Sequence, residues 1–78
     1  MEEDNEIYEI AENIRNRKDF EKFLEKLKEN FQKNKNDWDN DTLESFLEGL
    51  WGYNYNCKND EPTWKSFADI LLAARVYE

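Results

Sequence analysis

The sequence predicts an all-α fold, a compact single domain of about four helices. Four segments repeat apolar residues three and four positions apart, as amphipathic helices do, and no segment alternates as a strand would. The length of 78 residues sets a ceiling of one domain. We therefore expect one helical domain over residues 1–78, with residues 1–5 frayed and helices over about 5–14, 17–33, 42–52 and 62–77.

The first two helices are predicted from their apolar stripes and from one cap. The first stripe consists of Ile7, Ile10, Ala11 and Ile14. The second helix opens at Asn16, a good N-cap, with Asp19 three residues later as an approximate capping box. Its stripe consists of Phe20, Phe23, Leu24, Leu27 and Phe31, and lysine and glutamate fill the opposite face.

The third helix follows a polar loop, because asparagine and aspartate over residues 34–41 favour turns. Asp41 is predicted to cap this helix, with Glu44 completing an Asp-x-x-Glu box. Gly52 stands where a C′ glycine belongs, and Tyr53 would fold back as in a Schellman motif. The inward stripe is predicted to hold Leu43, Phe46, Leu47, Leu50 and Trp51.

The fourth helix begins after a second loop, and Pro62 fits its first position. One face carries Trp64, Phe67, Ala68, Leu71 and Arg75, and the arc is widened by Ile70, Ala73, Ala74 and Tyr77. A helix that is apolar over so much of its surface is expected at the centre of the fold.

The aromatic content predicts a folded chain despite a polar composition. Charged residues make up 38% of the sequence and the mean hydropathy is −1.14, values that are typical of disorder. However, three Trp, four Tyr and five Phe supply large rings that disordered segments lack. We expect a domain of modest stability, about 3–5 kcal/mol.

The composition argues against most catalytic and most nucleic-acid functions. The chain has no histidine and one cysteine, Cys57, with 19 acidic and 11 basic residues and a net charge of −8. It therefore lacks the commonest general base and zinc ligand, and its charge repels nucleic acid and anionic membranes. We expect no enzyme activity and no cofactor, and a cytoplasmic protein, since the acidic amino terminus is unlike a secretory signal.

The loop before the third helix has the acidic spacing of an EF-hand. Asp37, Asp39, Asp41 and Glu48 occupy positions 1, 3, 5 and 12 of such a loop. Thr42 stands at position 6, where the motif needs glycine, and the charged Glu44 stands at position 8, which is normally apolar. The alternative is that these residues form a turn and that Asp41 caps the helix.

The aromatic run from Leu50 to Asn56 offers candidate contact residues. Tyr and Trp are enriched at protein interfaces because they bury large areas at little entropic cost. Tyr53 and Tyr55 fall beyond the predicted helix, in a polar loop, where they would either be surface anchors or cover the end of the core. Trp51 is predicted instead to cover the end of the core.

Three sequence elements resemble a known pattern. They are Ile14-x₄-Asp19-Phe20-x₂-Phe23-Leu24-x₂-Leu27, then Trp38-x-Asn40-x-Thr42-Leu43-x₂-Phe46-Leu47, and Pro62-Thr63-Trp64-Lys65-x-Phe67-Ala68 continuing to Tyr77-Glu78. The chain resembles an uncharacterised family of small, acidic bacterial domains of unknown function, which implies no activity. The order of helix, aromatic-asparagine turn and helix also resembles barstar, an acidic ribonuclease inhibitor. Barstar is α/β and this chain shows no strand pattern, so that likeness implies only a mode of action, in which a small acidic protein plugs a basic site.

The leading hypothesis is a non-enzymatic module that binds a basic protein, with an immunity-like inhibitor as one form of such a module. Residues 37–48 hold five acids and no base, and such a field steers a basic surface. The predicted contact set is Asp37, Trp38, Asp39, Asp41, Glu44, Tyr53 and Tyr55. Two alternatives are calcium binding by the 37–48 loop, and a structural unit that self-associates as a weak homodimer through its last helix. It is also open whether the charge only keeps a marginal domain soluble.

Overall fold

The computed structural model describes residues 2–58 and 60–77, with side chains from Glu6 onward in those ranges. Four α-helices follow one another: α1 over Glu2–Glu12, α2 over Arg17–Lys33, α3 over Leu43–Asn56 and α4 over Trp64–Ala74. A single 3-10 turn, Lys35–Asp37, lies between α2 and α3. No strand occurs in the described ranges, and the prediction of an all-α fold with four helices is confirmed.

The start of α2 follows the sequence prediction. The Asn16 side chain accepts a hydrogen bond from the Asp19 backbone N–H at 2.9 Å, which satisfies one of the free donors of the first turn. The Asp19 carboxylate accepts from the backbone N–H of Arg15 at 3.1 Å. The reciprocal bond of the predicted capping box therefore goes to the residue before the cap.

The first helix lies earlier in the chain than its periodicity predicts. It begins at Glu2 and ends at Glu12, so it includes residues 2–5, for which fraying was expected; Met1 lies outside the described residues. Asn13 donates from its side chain to the carbonyl of Glu9 at 2.8 Å and so closes the last turn. Ile14 is buried beyond the helix end, which explains why it matched the stripe.

Threonine, and neither aspartate nor proline, sets the starts of α3 and α4. Thr42 accepts from the Ser45 backbone N–H at 3.1 Å, and the Ser45 hydroxyl accepts from the Thr42 N–H at 3.3 Å. Thr63 accepts from the Ser66 N–H at 3.0 Å in the same way. The predictions of Asp41 as a cap and Pro62 as a first helical residue were wrong, because the hydroxyl of the following residue makes the capping bond.

Helix α3 continues past the glycine that was predicted to end it. It runs to Asn56, and no glycine in the described chain has a positive φ, so the Schellman end at Gly52 and Tyr53 was wrong. The Asn56 side chain donates to the carbonyl of Gly52 and to the Tyr77 hydroxyl. These contacts hold the last turn of α3 against the carboxyl-terminal segment.

The core lies where α4 meets the other three helices, as its wide apolar arc predicts. Ala68 and Leu72 of α4 are buried together with Phe23 and Leu27 of α2. The complete buried cluster is Ile7, Ala11, Ile14, Phe23, Leu27, Trp38, Ala68 and Leu72. None of the described helices combines the length and the apolar character that crossing a membrane requires.

A buried polar network joins the helices at one side of this core. Arg75 is 3% exposed, and its guanidinium donates to Asn30 Oδ1 at 3.2 Å, to the Tyr8 hydroxyl at 3.1 Å and to the Leu72 carbonyl at 2.9 Å. These bonds link α1, α2 and the end of α4. Burial of a charge is tolerable only when its donors are satisfied in this way.

Candidate functional site

Trp38 is part of the core and does not have the exposed position that its prediction as a contact residue requires. The side chain is 8% exposed and packs edge-on against Phe31 and face-on against Phe46, with ring centroids 4.9 and 5.7 Å apart. Its indole Nε1 donates to Asn30. The tryptophan anchors the loop between α2 and α3 and offers little surface to a partner.

The predicted acidic contact residues are all exposed. Asp37 ends the 3-10 turn, Asp39 and Asp41 lie in the loop, and Glu44 lies in the first turn of α3. Residues 37–56 contain five acids and neither lysine nor arginine. The loop and α3 therefore form a continuous acidic segment.

The structure does not gather the predicted calcium ligands. Within residues 2–58 and 60–77, no three His, Cys, Asp or Glu side chains lie close enough to hold a metal ion. Asp37, the first residue of the motif, lies in the 3-10 turn, and Trp38 after it is buried. The loop also lacks the glycine that lets an EF-hand loop turn sharply.

The two candidate tyrosines lie in α3 and have different surroundings. Tyr53 packs edge-on against Tyr77, with ring centroids 5.6 Å apart, and is half-buried. Tyr55 is exposed and stacks on Trp51, with centroids 5.2 Å apart and ring planes 22° from parallel. Of the two, only Tyr55 has the exposure that a surface anchor needs, and the prediction that both lie in a loop was wrong.

Trp51 belongs to an exposed row of apolar side chains on α3, which we call the α3 stripe. The row consists of Leu43, Leu47, Trp51 and Tyr55, which are 75%, 50%, 69% and 73% exposed. A spacing of four residues places them on one face of the helix. The predictions that Trp51 covers the core and that Leu43 and Leu47 face inward were therefore wrong.

The buried face of α3 is formed by a different set of residues. Phe46 packs on Trp38, and Gly49 is buried against the carboxyl-terminal segment. A Cβ on Gly49 would lie 2.7 Å from the Asn40 side-chain nitrogen and 2.8 Å from the Ala74 carbonyl oxygen. This close approach turns the Gly49 side of the helix inward and leaves the α3 stripe outside.

Two glutamates lie beside the stripe. Glu44 is one residue from Leu43 and three from Leu47, and Glu48 is three residues from Trp51, so each is a neighbour of the stripe on the helix surface. Both are exposed. The face thus alternates apolar and anionic groups along the helix.

The sequence does not reveal the α3 stripe, because α3 is apolar on two faces. The spacing that identifies the exposed row, 43, 47, 51 and 55, is present in the sequence. Leu43, Leu47 and Trp51 also fit one broad inward arc with Phe46 and Leu50, and Tyr55 lies beyond the predicted end of the helix. Gly49 and Gly52 are the signal for the inward face, since a helix can approach another chain segment most closely where it lacks side chains.

Comparison with known proteins identifies a family. Searches of curated proteins and of solved structures each gave no significant match. A family model described as a family of unknown function, DUF7660, matches residues 16–78. This match covers α2, the loop with Trp38, α3 and α4, and begins after α1. The chain therefore belongs to the DUF7660 family of unknown function.

Proposed function

We propose that this protein is a non-enzymatic binding module whose α3 stripe packs against a basic protein. The observation that carries the proposal is the exposure of four large apolar side chains on one helix face, with Glu44 and Glu48 beside them. Contiguous apolar surface rimmed by polar groups is typical of protein interaction sites. A sequence without histidine supports the non-enzymatic part of the proposal.

The composition of the stripe suits an interface. From Leu43 to Tyr55 the row extends about 18 Å along the helix axis. Trp51 and Tyr55 are residue types that carry much of the binding energy at interfaces. Their stacking orders both rings before a partner arrives, which reduces the entropy lost on binding.

Charge favours a basic partner over a second copy of this chain. Two copies that met through α3 would bring two segments together, each with five acids and no base. Like charges at an interface oppose association, whereas lysine or arginine around an apolar patch would complement Glu44 and Glu48. The partner we propose is a protein surface with apolar side chains flanked by lysine or arginine.

The last helix gives less support to the self-association alternative. Ala68 and Ala74 of its apolar arc, and the neighbouring Leu72, are buried in the domain, so much of this helix already packs against α1, α2 and α3. We propose an inhibitor- or immunity-like role as the form of binding that the acidic charge favours. A cytoplasmic location is part of the proposal, since the exposed free thiol of Cys57 persists in a reducing compartment.

The test uses a helical peptide of leucine and lysine as a model basic partner, titrated into the full chain and followed by calorimetry. Trp51→Ala and Leu47→Ala leave the charge unchanged, so any loss of affinity reports the stripe itself. Removal of an interface anchor of this kind costs about 2 kcal/mol, so we expect each variant to bind about thirtyfold more weakly.

Leu24→Ala is the matched control. Leu24 is also an exposed leucine on a helix, but it lies on α2, away from the stripe. The Leu24→Ala variant should bind the peptide with the same affinity as the unaltered protein. Equal affinity for all three variants would show that the peptide follows net charge alone and would overturn the proposed site.

A further inference from the structure

A groove runs beside the α3 stripe, between α3 and the carboxyl-terminal segment. Its volume is about 630 Å³. Trp51, Tyr77, Gly49 and Gly52 are among the residues that line it. Because the two glycines lack side chains, the carboxyl-terminal segment with Tyr77 can lie close against α3 on this side of the helix.

Asn40 presents an unused acceptor at this groove. Asn40 is one of the residues that line the groove, and it is 8% exposed. Its Nδ2 donates to the carbonyls of Ala74 and Tyr77, each at 2.9 Å. Both acceptors are carbonyl oxygens, so the nitrogen and oxygen of this amide are assigned without ambiguity.

The Oδ1 atom of Asn40 has no donor partner among residues 2–58 and 60–77. Fully buried side-chain polar atoms in the described chain are all hydrogen-bonded, so this oxygen reaches solvent. The groove is the opening that Asn40 lines. A ligand with N–H donors can therefore donate a hydrogen bond to Asn40 Oδ1, although the Asn40 side chain is largely buried.

The remaining groups of the groove favour a cation. Glu48 brings a carboxylate, and the lining contains no lysine or arginine. The exposed Trp51 ring is the aromatic type that attracts a cation most strongly to its face. Tyr77 is fixed by its edge-on contact with Tyr53 and by the bond from Asn56 to its hydroxyl, so that side of the groove is preformed.

We propose that this groove is a subsite for one arginine side chain of the basic partner, an inference that rests on the proposed function. A guanidinium is planar and always charged, and its five N–H donors can serve a carboxylate and a carbonyl together while it stacks on an aromatic ring. Glu48, Asn40 and Trp51 supply these three elements. A lysine ammonium is compact and strongly hydrated and cannot stack in this way.

The test is an NMR titration of the full, ¹⁵N-labelled chain with N-acetyl-arginine N-methylamide. The same derivatives of citrulline, the neutral analogue, and of lysine serve as matched probes. We expect the arginine probe to shift the backbone amides of Gly49 and Gly52 and the side-chain amide of Asn40 along one saturable curve. Citrulline should leave them in place, and lysine should bind at least threefold more weakly.

Two variants that change the net charge equally test whether the Glu48 carboxylate binds the arginine probe. Glu48→Gln should weaken binding of the arginine probe about two- to fivefold, the range for a partly exposed ion pair. Glu25→Gln changes the net charge equally on the exposed face of α2 and should leave the affinity unchanged. Trp51→Ala should weaken binding by a similar factor through the lost cation–π contact.

The outcomes separate this inference from the proposed function. Equal shifts with citrulline, or an arginine affinity that does not respond to Glu48→Gln, would overturn the subsite even if the leucine-lysine peptide binds the stripe. Binding of the arginine probe with the expected pattern, together with no peptide binding, would support a guanidinium site in the groove but would overturn the α3 stripe as the docking surface.

Discussion

Trp38 and Asn30 are joined by a buried hydrogen bond, in which the indole Nε1 donates to Asn30 Oδ1 across 2.7 Å. The same oxygen accepts from Arg75 at 3.2 Å. One asparagine carbonyl thus connects the loop before α3 to α2 and to the end of α4. Because the loop is held here, α3 can direct its stripe outward while its glycine face packs inward.

This bond gives the first prediction. Trp38→Phe keeps a large ring in the core but removes the donor, and should lower the free energy of unfolding by about 1–2 kcal/mol. Asn30→Ala removes the acceptor that the indole and the guanidinium share, and should cost more, about 2–4 kcal/mol. Urea unfolding followed by circular dichroism measures both. Asn36→Ala, at an exposed position, should stay within about 0.5 kcal/mol.

The second prediction compares the exposed Trp51 with the buried Trp38 in their effect on the free energy of unfolding. Trp51→Ala should change the free energy of unfolding by less than about 1 kcal/mol, since it loses one exposed stacking contact with Tyr55. Trp38→Ala should cost about 3–5 kcal/mol, the range for a buried aromatic ring. Thermal and urea unfolding would compare the two. A large loss for Trp51→Ala would mean that the ring covers the core after all.

The third prediction is that alanine at Gly49 and alanine at Gly52 change the stability differently, because the two glycines have different neighbours. A Cβ on Gly49 would meet the backbone carbonyl of Ala74 at 2.8 Å, whereas one on Gly52 would meet the Tyr77 ring at 3.0 Å. Backbone yields less than a side chain, so Gly49→Ala should destabilise by about 1–3 kcal/mol, despite the helix propensity of alanine. Gly52→Ala should cost at least 1 kcal/mol less, because alanine's propensity gain of about 1 kcal/mol offsets a small ring shift. Equal losses in urea unfolding would contradict this packing.

The helix caps give a fourth prediction. Thr42→Ala removes the acceptor of the Ser45 N–H and should cost about 1 kcal/mol. Asp41→Ala, one residue earlier, should cost less than half as much, although the aspartate begins the Asp-x-x-Glu pattern. Chemical denaturation of the two variants decides between threonine and aspartate as the cap. A larger loss at Asp41 would place the start of α3 one residue earlier.

The fifth prediction concerns the hydrogen bond that joins Tyr8 of α1 to Arg75 at the end of α4. Its hydroxyl accepts from Arg75 at 3.1 Å, and Tyr8→Phe removes this link at a cost of about 1 kcal/mol. Because the lost bond lies between α1 and α4, hydrogen exchange of the α1 amides should accelerate more than that of the α3 amides. Uniform acceleration along the chain would instead indicate that α1 opens only with the whole domain.

The predictable parts of this fold are those in which local chemistry and burial agree. In α2, Asn16 caps the helix and Phe23 and Leu27 face the core, as spacing and cap residue indicate. In α3 the same reasoning failed, because Leu43 and Phe46 have similar hydropathy and lie on different faces. Periodicity identifies an apolar face, but it cannot choose between two.

The candidate site was predictable in its charge and only partly in its residues. The acids at 37, 39, 41 and 44 are exposed as expected, and Tyr55 is a surface residue. Trp38 had the composition of a contact residue, yet its indole finds a buried acceptor in Asn30, eight residues earlier in the chain. Asn40 belongs to the sequence pattern of the family, but its contacts were not predictable, because its partners, Ala74 and Tyr77, lie far along the chain.

The sequence by itself determined the all-α class, the four helices, the acidic charge and the membership in a family of unknown function. These follow from local periodicity, from composition and from sequence similarity, which need no knowledge of distant contacts. Only the tertiary structure decided which side of α3 is exposed, and therefore where a partner would bind. The physical reason is the close approach of Gly49 to Asn40 and Ala74, a fit between residues that are distant in the chain.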